Sequence, residues 1–156
     1  MALDVRNRDL VILSAKRTAF GTMGGALAQL TAADIAVPTA TAALEAAGVA
    51  PDEIDHVIYG NVLQTANDAI YMARHIGLRA GVPQHVPALT VNRLCGSGFQ
   101  SVVTGAEQIL TGQANAVLVG GTENMSMAPH VSYDMRTPSR FGKPPKMYDL
   151  LWECLT

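Results

Sequence analysis

The chain has 156 residues, a formal net charge of −2 and 49% apolar residues, of which few are aromatic. That length buries the core of one domain, and the near-neutral charge offers no electrostatic footprint for nucleic acid or an anionic membrane surface. No apolar run approaches the roughly 20 residues of a membrane-spanning helix, and Asp4 and Asp9 beside Arg6 and Arg8 match neither a secretory leader nor an acid-poor transit helix, so a cytoplasmic protein is expected.

Strand and helix signals alternate, which predicts an α/β fold with a mainly parallel sheet. Residues 10–14 read as a first strand, followed by a loop at 20–25 rich in glycine. Thr31 suits a helix N-cap with Asp34 three residues on, and Ala36, Ala40, Ala43, Leu44 and Ala47 then line one apolar face up to Gly48. Pro38 inside this span predicts a kink. Residues 57–59 read as a second strand, 69–78 as a second helix stopped by Gly81 and Pro83, and 86–91 as a third strand. A long helix over 97–110 follows, on which Val102, Val103, Ala106, Ile109 and Leu110 recur at helical spacing, and residues 116–119 form a fourth strand entering Gly120-Gly121. Between 125 and 146, Pro129, Pro138, Pro144 and Pro145 interrupt any period and predict irregular structure. Met147, Leu150, Leu151, Cys154 and Leu155 then make the stripe of an amphipathic helix, which would put Cys154 in a core. That helix stops after about two turns without a C-cap, as if cut short.

The segment Asn92-Arg93-Leu94-Cys95-Gly96-Ser97-Gly98-Phe99-Gln100 sets a cysteine between a strand and a helix. Unpaired N–H groups and a partial positive charge at a helix start favour an anion such as a thiolate. Gly96 and Gly98 clear side chains from around the sulfur, which a substrate carbonyl needs and a packing cysteine does not. Free cysteines are more often small buried hydrophobes, so on residues alone the nucleophile and the packing residue stand as equal readings.

This segment resembles the nucleophile motif of the thiolases. Gly120-Gly121-Thr122-Glu123-Asn124-Met125-Ser126 resembles the family's Gly-Gly-x-Glu-Ser-Met-Ser segment, with Asn124 where serine is commoner. Ser14-Ala15-Lys16-Arg17-Thr18-Ala19-Phe20-Gly21 resembles the opening strand and loop, and Gly60-Asn61-Val62-Leu63-Gln64 the second strand's exit. The run from Asp68 to Arg79, with residues 92–100, resembles the 3-ketoacyl-CoA thiolases (acetyl-CoA acyltransferases) in particular. The resemblance implies a βαβαβαββ half with a mixed, mainly parallel sheet over residues 1–121 and the beginning of an inserted loop domain over 122–156, in an incomplete chain. It implies acyl transfer between thioesters through a Cys95 acyl-enzyme, with the Cys95 backbone N–H as an oxyanion donor. Thiolytic cleavage of a 3-ketoacyl-CoA is the expected reaction; acetoacetyl-CoA formation by an acetyltransferase, or a truncated non-catalytic folding or dimerisation module, are the alternatives. Coenzyme A is expected as substrate, with no tightly bound cofactor and no coenzyme A contacts assigned. Self-association as dimer or tetramer would pair residues 86–91 across a two-fold axis. The family's Gly-His-Pro histidine and Cys-Gly-Gly-Gly cysteine have no counterpart here.

Other motifs point elsewhere only weakly. His56, His75, His85 and His130 lack metal-binding spacing, so no metal is expected. Gly96-Ser97-Gly98 lacks the third glycine and later acid of a dinucleotide site, and a nucleophilic Ser97 would need a Gly-x-Ser-x-Gly elbow. Gly120-Gly121 suits a tight strand exit near the nucleophile. Cys95 and Cys154 are expected as reduced thiols, and the sequon Asn124-Met125-Ser126 as a chance match.

Overall fold

The computed structural model describes residues 9–136 and 141–156; Pro138 and the charged residues up to Arg8 lie outside the described residues. At its centre are three parallel strands, β1 (His56–Gly60), β2 (Ala88–Val91) and β3 (Val117–Gly121), in the order β2-β1-β3. Gly60 lies in register with Val91 on one side and Gly121 on the other, so all three strands deliver their carboxyl ends to one edge. Parallel neighbours need crossovers, and helices α2 (Met72–Arg79) and α3 (Ser97–Leu110) provide them. Because such crossovers keep one hand, reversing direction from β2 back past β1 to β3 carries α3 to the face opposite α2.

Helix α1 (Ala32–Ala47) packs beside α2 on the first face. Thr31 and Asp34 form a reciprocal capping box at its start, and Gly48, at φ +66°, closes its end in the left-handed conformation that glycine adopts without penalty. The helix is continuous through Pro38. Strand residues alternate between faces. Val57, Tyr59 and Leu118 join Ala36, Ala40, Leu44, Met72 and Ile76 in one core on the α1/α2 side. Arg79 ties the two helices together through a 2.7 Å ion pair with Asp34.

The opposite face is built from small residues. Ser97, Ser101 and Gly105, one helical turn apart, are the buried positions of α3. A Cβ on Gly105 would lie 2.7 Å from Val119 Cγ1, so the helix rests almost directly on the strand. The apolar stripe expected from Val102 to Leu110 is therefore not the face that meets the sheet. None of Val102, Val103, Ala106, Ile109 and Leu110 is buried, and Phe99 is 68% exposed.

Three expectations change. Residues 10–14 are extended but join no strand ladder, and Val11, Ile12 and Leu13 are exposed; a β-prone run becomes a strand only with a neighbour's backbone beside it, and none stands there among the described residues. The second helix opens as a 3-10 turn, Ala69–Tyr71, before α2 begins. Strand β2 starts at Ala88 because Pro87 has no N–H to donate, although its carbonyl still accepts from Val57. Beyond β3 the chain is irregular, with a short antiparallel ribbon of β4 (His130–Val131) and β5 (Tyr148–Asp149). Helix α4 (Leu150–Leu155) follows, capped by the Asp149 side chain on the Leu151 N–H. No residue of α4 is buried, and Cys154 is exposed rather than in a core, because no other element among the described residues covers the stripe.

Candidate active site

Cys95 lies where β2 ends and α3 begins, one residue before the Gly96 N-cap. The turn that carries it is held from both sides. Asn92 Oδ1 accepts from the Leu94 N–H at 3.0 Å, and the Gly96 and Ser97 N–H groups donate back to the carbonyls of Arg93 and Leu94. Ser97 Oγ accepts from the Arg93 N–H at 2.8 Å and donates to the Leu94 carbonyl at 2.6 Å. Leu94 itself sits at φ +50°, the only non-glycine residue with positive φ among those described. That conformation costs a branched residue roughly 1–2 kcal/mol and persists only where its surroundings hold it. Cys95 is a free, exposed thiol, and its backbone N–H and those of Gly98 and Phe99 have no acceptor among the described residues.

Beneath this turn the sheet edge is made of glycine. A Cβ on Gly60 would lie 2.3 Å from the Ser97 carbonyl carbon, and one on Gly121 would lie 2.8 Å from Gly98 Cα. Any larger residue at either position would lift the start of α3, so the paired glycines set the height of Cys95 above the strands. The tight exit expected of Gly120-Gly121 is present, and Gly120 makes room for the Tyr59 ring.

Two polar residues after β3 bind this edge together. The Glu123 carboxylate accepts from the N–H groups of Val62 and Leu63 and from Asn61 Nδ2, while Asn61 Nδ2 also donates to the Thr122 carbonyl. Partial burial raises the Glu123 carboxyl above its ordinary range, against the lowering effect of these donors. Asn124 is buried; its Nδ2 donates to the carbonyls of Leu27, Ala28 and Leu30, and its Oδ1 accepts from the Ser126 N–H. Asparagine, with both a donor and an acceptor, thus joins the β3 exit to the turn before α1. Sequence reading singled out neither Asn61 nor the roles of Glu123 and Asn124. Their partners lie some 60 to 97 residues away in the chain, and the only sequence signal was their place in the two resembling motifs.

The remaining candidates stay dispersed. His75 stacks on Tyr71 and lies 3.7 Å from Asp68, away from Cys95 in sequence and on the α2 side of the sheet. The described residues include no cluster of His, Cys, Asp or Glu able to hold a metal ion, and no helix long and apolar enough to cross a membrane. A cleft of about 520 Å³ opens between the loop after residue 15 and the β3 exit, lined by Lys16, Thr18, Ile35, Thr39, Thr122 and Met125. Cys95 does not line it.

Cys95 thus stands at a strand-to-helix turn over a glycine floor, at the carboxyl edge of a parallel sheet, and the whole segment from residue 10 to 156 matches the family described as Thiolase, N-terminal domain. The chain belongs to the thiolase family. It is 51% identical to human mitochondrial 3-ketoacyl-CoA thiolase over 149 residues, 96% of this chain and 38% of the relative. It is 46% identical to an acetyl-CoA acetyltransferase of Cupriavidus necator over 134 residues, 86% of this chain and 34% of the relative. The crystal structure of the human mitochondrial enzyme in complex with CoA superposes with a TM-score of 0.89 at 52% identity, covering 92% of this chain and 36% of that one. The Bacillus anthracis acetyl-CoA acetyltransferase superposes with a TM-score of 0.86 at 38% identity, covering 93% and 36%. The chain thus spans less than two fifths of the length of these relatives. The expectation of a cytoplasmic protein is corrected by the human, bovine and rat relatives, which are mitochondrial thiolases by name. Composition carries no compartment address.

Proposed function

We propose that this chain carries the nucleophile of a 3-ketoacyl-CoA thiolase, with Cys95 as the acylated residue and residues 122–156 opening the loop domain. The observation that carries the proposal is the held turn at residues 92–97, which presents an exposed thiol and a free backbone N–H together. In the cleavage direction the Cys95 thiolate attacks the 3-keto carbonyl and its oxygen becomes an oxyanion, for which the Cys95 N–H is one donor. The carbon–carbon bond then breaks, leaving the shortened acyl group as a thioester on Cys95. The departing acetyl-CoA carbanion takes a proton, and the thiolate of a second coenzyme A attacks the thioester and frees Cys95. Coenzyme A enters here as substrate, in keeping with the CoA complex of the human relative. The same cysteine serves acetoacetyl-CoA formation, the alternative favoured by the Cupriavidus necator acetyltransferase. Self-association through β2 belongs to the same proposal: this strand is at the sheet edge, with one side unpaired among the described residues.

The test is to extend the chain to the full length of its relatives, incubate it with an acyl-CoA and map the thioester by peptide mass. The acyl group is expected on Cys95; finding it on Cys154 overturns the proposal. Cys95→Ser should lower thiolysis by several orders of magnitude, since an unactivated hydroxyl is a far weaker nucleophile than a thiolate. The 156-residue chain alone should show no turnover, because neither the family's base histidine nor its second cysteine has a counterpart in it, and each such loss costs roughly 10²-fold or more.

A further inference from the structure

We infer that Ser97 is the positioning residue of this site: its hydroxyl locks the turn at residues 92–97 and thereby fixes where Cys95 presents its sulfur. The inference rests on reading Cys95 as the nucleophile. Its starting point is Leu94, which is held at φ +50° while its side chain is 71% exposed, so packing does not hold it there. Hydrogen bonds must do so instead: Asn92 Oδ1 accepts from the Leu94 N–H, and Ser97 bridges the flanks of the turn with its hydroxyl. Its Oγ accepts from the residue before Leu94 and donates to the carbonyl of Leu94 itself, at 2.8 and 2.6 Å.

Ser97 is itself tightly enclosed. It is 4% exposed, and its backbone lies so close to Gly60 that not even a methyl group fits between them. One turn along α3, Ser101 is fully buried and bonded to the Gly98 carbonyl. The serine thus couples a fixed point on β1 to a turn that would otherwise relax. Gly96, the N-cap, has no side chain with which to cap the helix. With Ser97 in place, the N–H groups of Cys95, Gly98 and Phe99 at the helix start are left without an acceptor among the described residues, so donors remain there for a thiolate and then an oxyanion. The Ser97 hydroxyl already donates its proton to the Leu94 carbonyl, so it has no donor to offer a substrate. Its effect is exerted through Cys95.

The experiment is to alkylate the folded chain with iodoacetamide at pH 7 and follow Cys95 and Cys154 separately by peptide mass. Both thiols are exposed, so Cys154 serves as a reference within the same molecule. In the parent chain Cys95 should react faster than Cys154. In Ser97→Ala the Cys95 rate should fall about tenfold while the Cys154 rate holds, misplacement by an ångström being enough to cost that much. Leu94→Gly guards against loss of fold, since glycine takes positive φ without strain and the variant should be at least as stable as the parent. It should nevertheless slow Cys95, because a turn free to change hand no longer holds the thiol. A fast Cys95 that survives in both variants overturns the role of Ser97 alone. Equal rates for the two cysteines in the parent chain would overturn the nucleophile reading and this inference with it.

Discussion

On one face of the central sheet, Val57, Tyr59 and Leu118 meet Leu44, Met72 and Ile76, side chains large enough to fill the gap between sheet and helices. On the other, Gly60, Gly121 and the valines of β3 meet Ser97, Gly98 and Gly105, and the backbone of α3 comes almost into contact with the strands. The first arrangement gains stability from buried apolar area, at about 25 cal/mol per Å². The second gains closeness: with glycine at the contacts of Gly60 and Gly121 with the α3 start, its height and angle leave little freedom. The face that carries Cys95 is thus built for placement, and the face behind it holds the domain together.

Truncating the packed face should have the largest effect. Met72→Ala is expected to lower unfolding free energy by about 2–5 kcal/mol, the usual range for a large side chain removed from a closed core, with the Cys95 alkylation rate unchanged under conditions where the variant is still folded. Urea denaturation and thiol labelling on the same sample would check both halves of that statement. Enlarging the close face should be smaller in energy and larger at the site. Gly60→Ala drives a methyl into the Ser97 backbone and is expected to cost about 1–3 kcal/mol while displacing the turn; Gly105→Ala meets side-chain atoms of Val119 and, at 3.3 Å, of Val117 rather than backbone and should cost less. If Gly60→Ala left Cys95 labelling untouched, the contrast between the faces would fail. At the rim of the packed face, Thr31→Ala removes the α1 capping box and should cost about 1 kcal/mol in a thermal melt, with no change at the thiol.

The smallest effect expected is in pH dependence, where carboxylates pull in opposite directions. Asp34 is lowered first by the Thr31 hydroxyl and then by Arg79, and Asp55 by the N–H groups of Asn115 and Ala116. Stability from both is present above the ordinary aspartate value of 3.8 and is lost as pH falls through their depressed folded values. Glu123 is raised above its ordinary 4.5 by burial, so it has the other sign: its protonated form favours the fold, and that contribution is lost as pH rises through the raised value. Acidification from neutrality toward 4.5 should therefore stabilise the chain slightly before acid unfolds it. In Glu123→Gln the slight gain should vanish and the acid loss remain; a gain that persisted would assign the effect to another group.

How far the sequence disclosed this arrangement depended on the range of the contacts involved. Local signals were read well: the Thr31 cap, the Gly48 stop, the span of α3 and the junction at Cys95 all depend on neighbours within a few residues. The helical period on α3 was also correct, yet it pointed outward, because a stripe of large apolar residues identifies a helix and does not say which face lies on the sheet. The buried face is Ser97, Ser101 and Gly105, which no hydrophobic pattern would select. Among the described residues, 10–14 carry strand propensity without a strand partner, and the stripe from Met147 to Leu155 carries amphipathicity without a cover; both are tertiary facts. The left-handed Leu94 was invisible, since leucine is among the residues least suited to that conformation and only its hydrogen-bonded surroundings account for it.

Asn124 has one more consequence. Its side-chain nitrogen, the atom to which an oligosaccharide would attach in Asn124-Met125-Ser126, is committed to the carbonyls of Leu27, Ala28 and Leu30 inside the protein. A carbohydrate added to the nascent chain would occupy that space before the turn ahead of α1 could dock. The sugar and the folded edge are mutually exclusive. Forced through a secretory route, the chain would partition into an unmodified folded population and a glycosylated one unable to close its sheet edge.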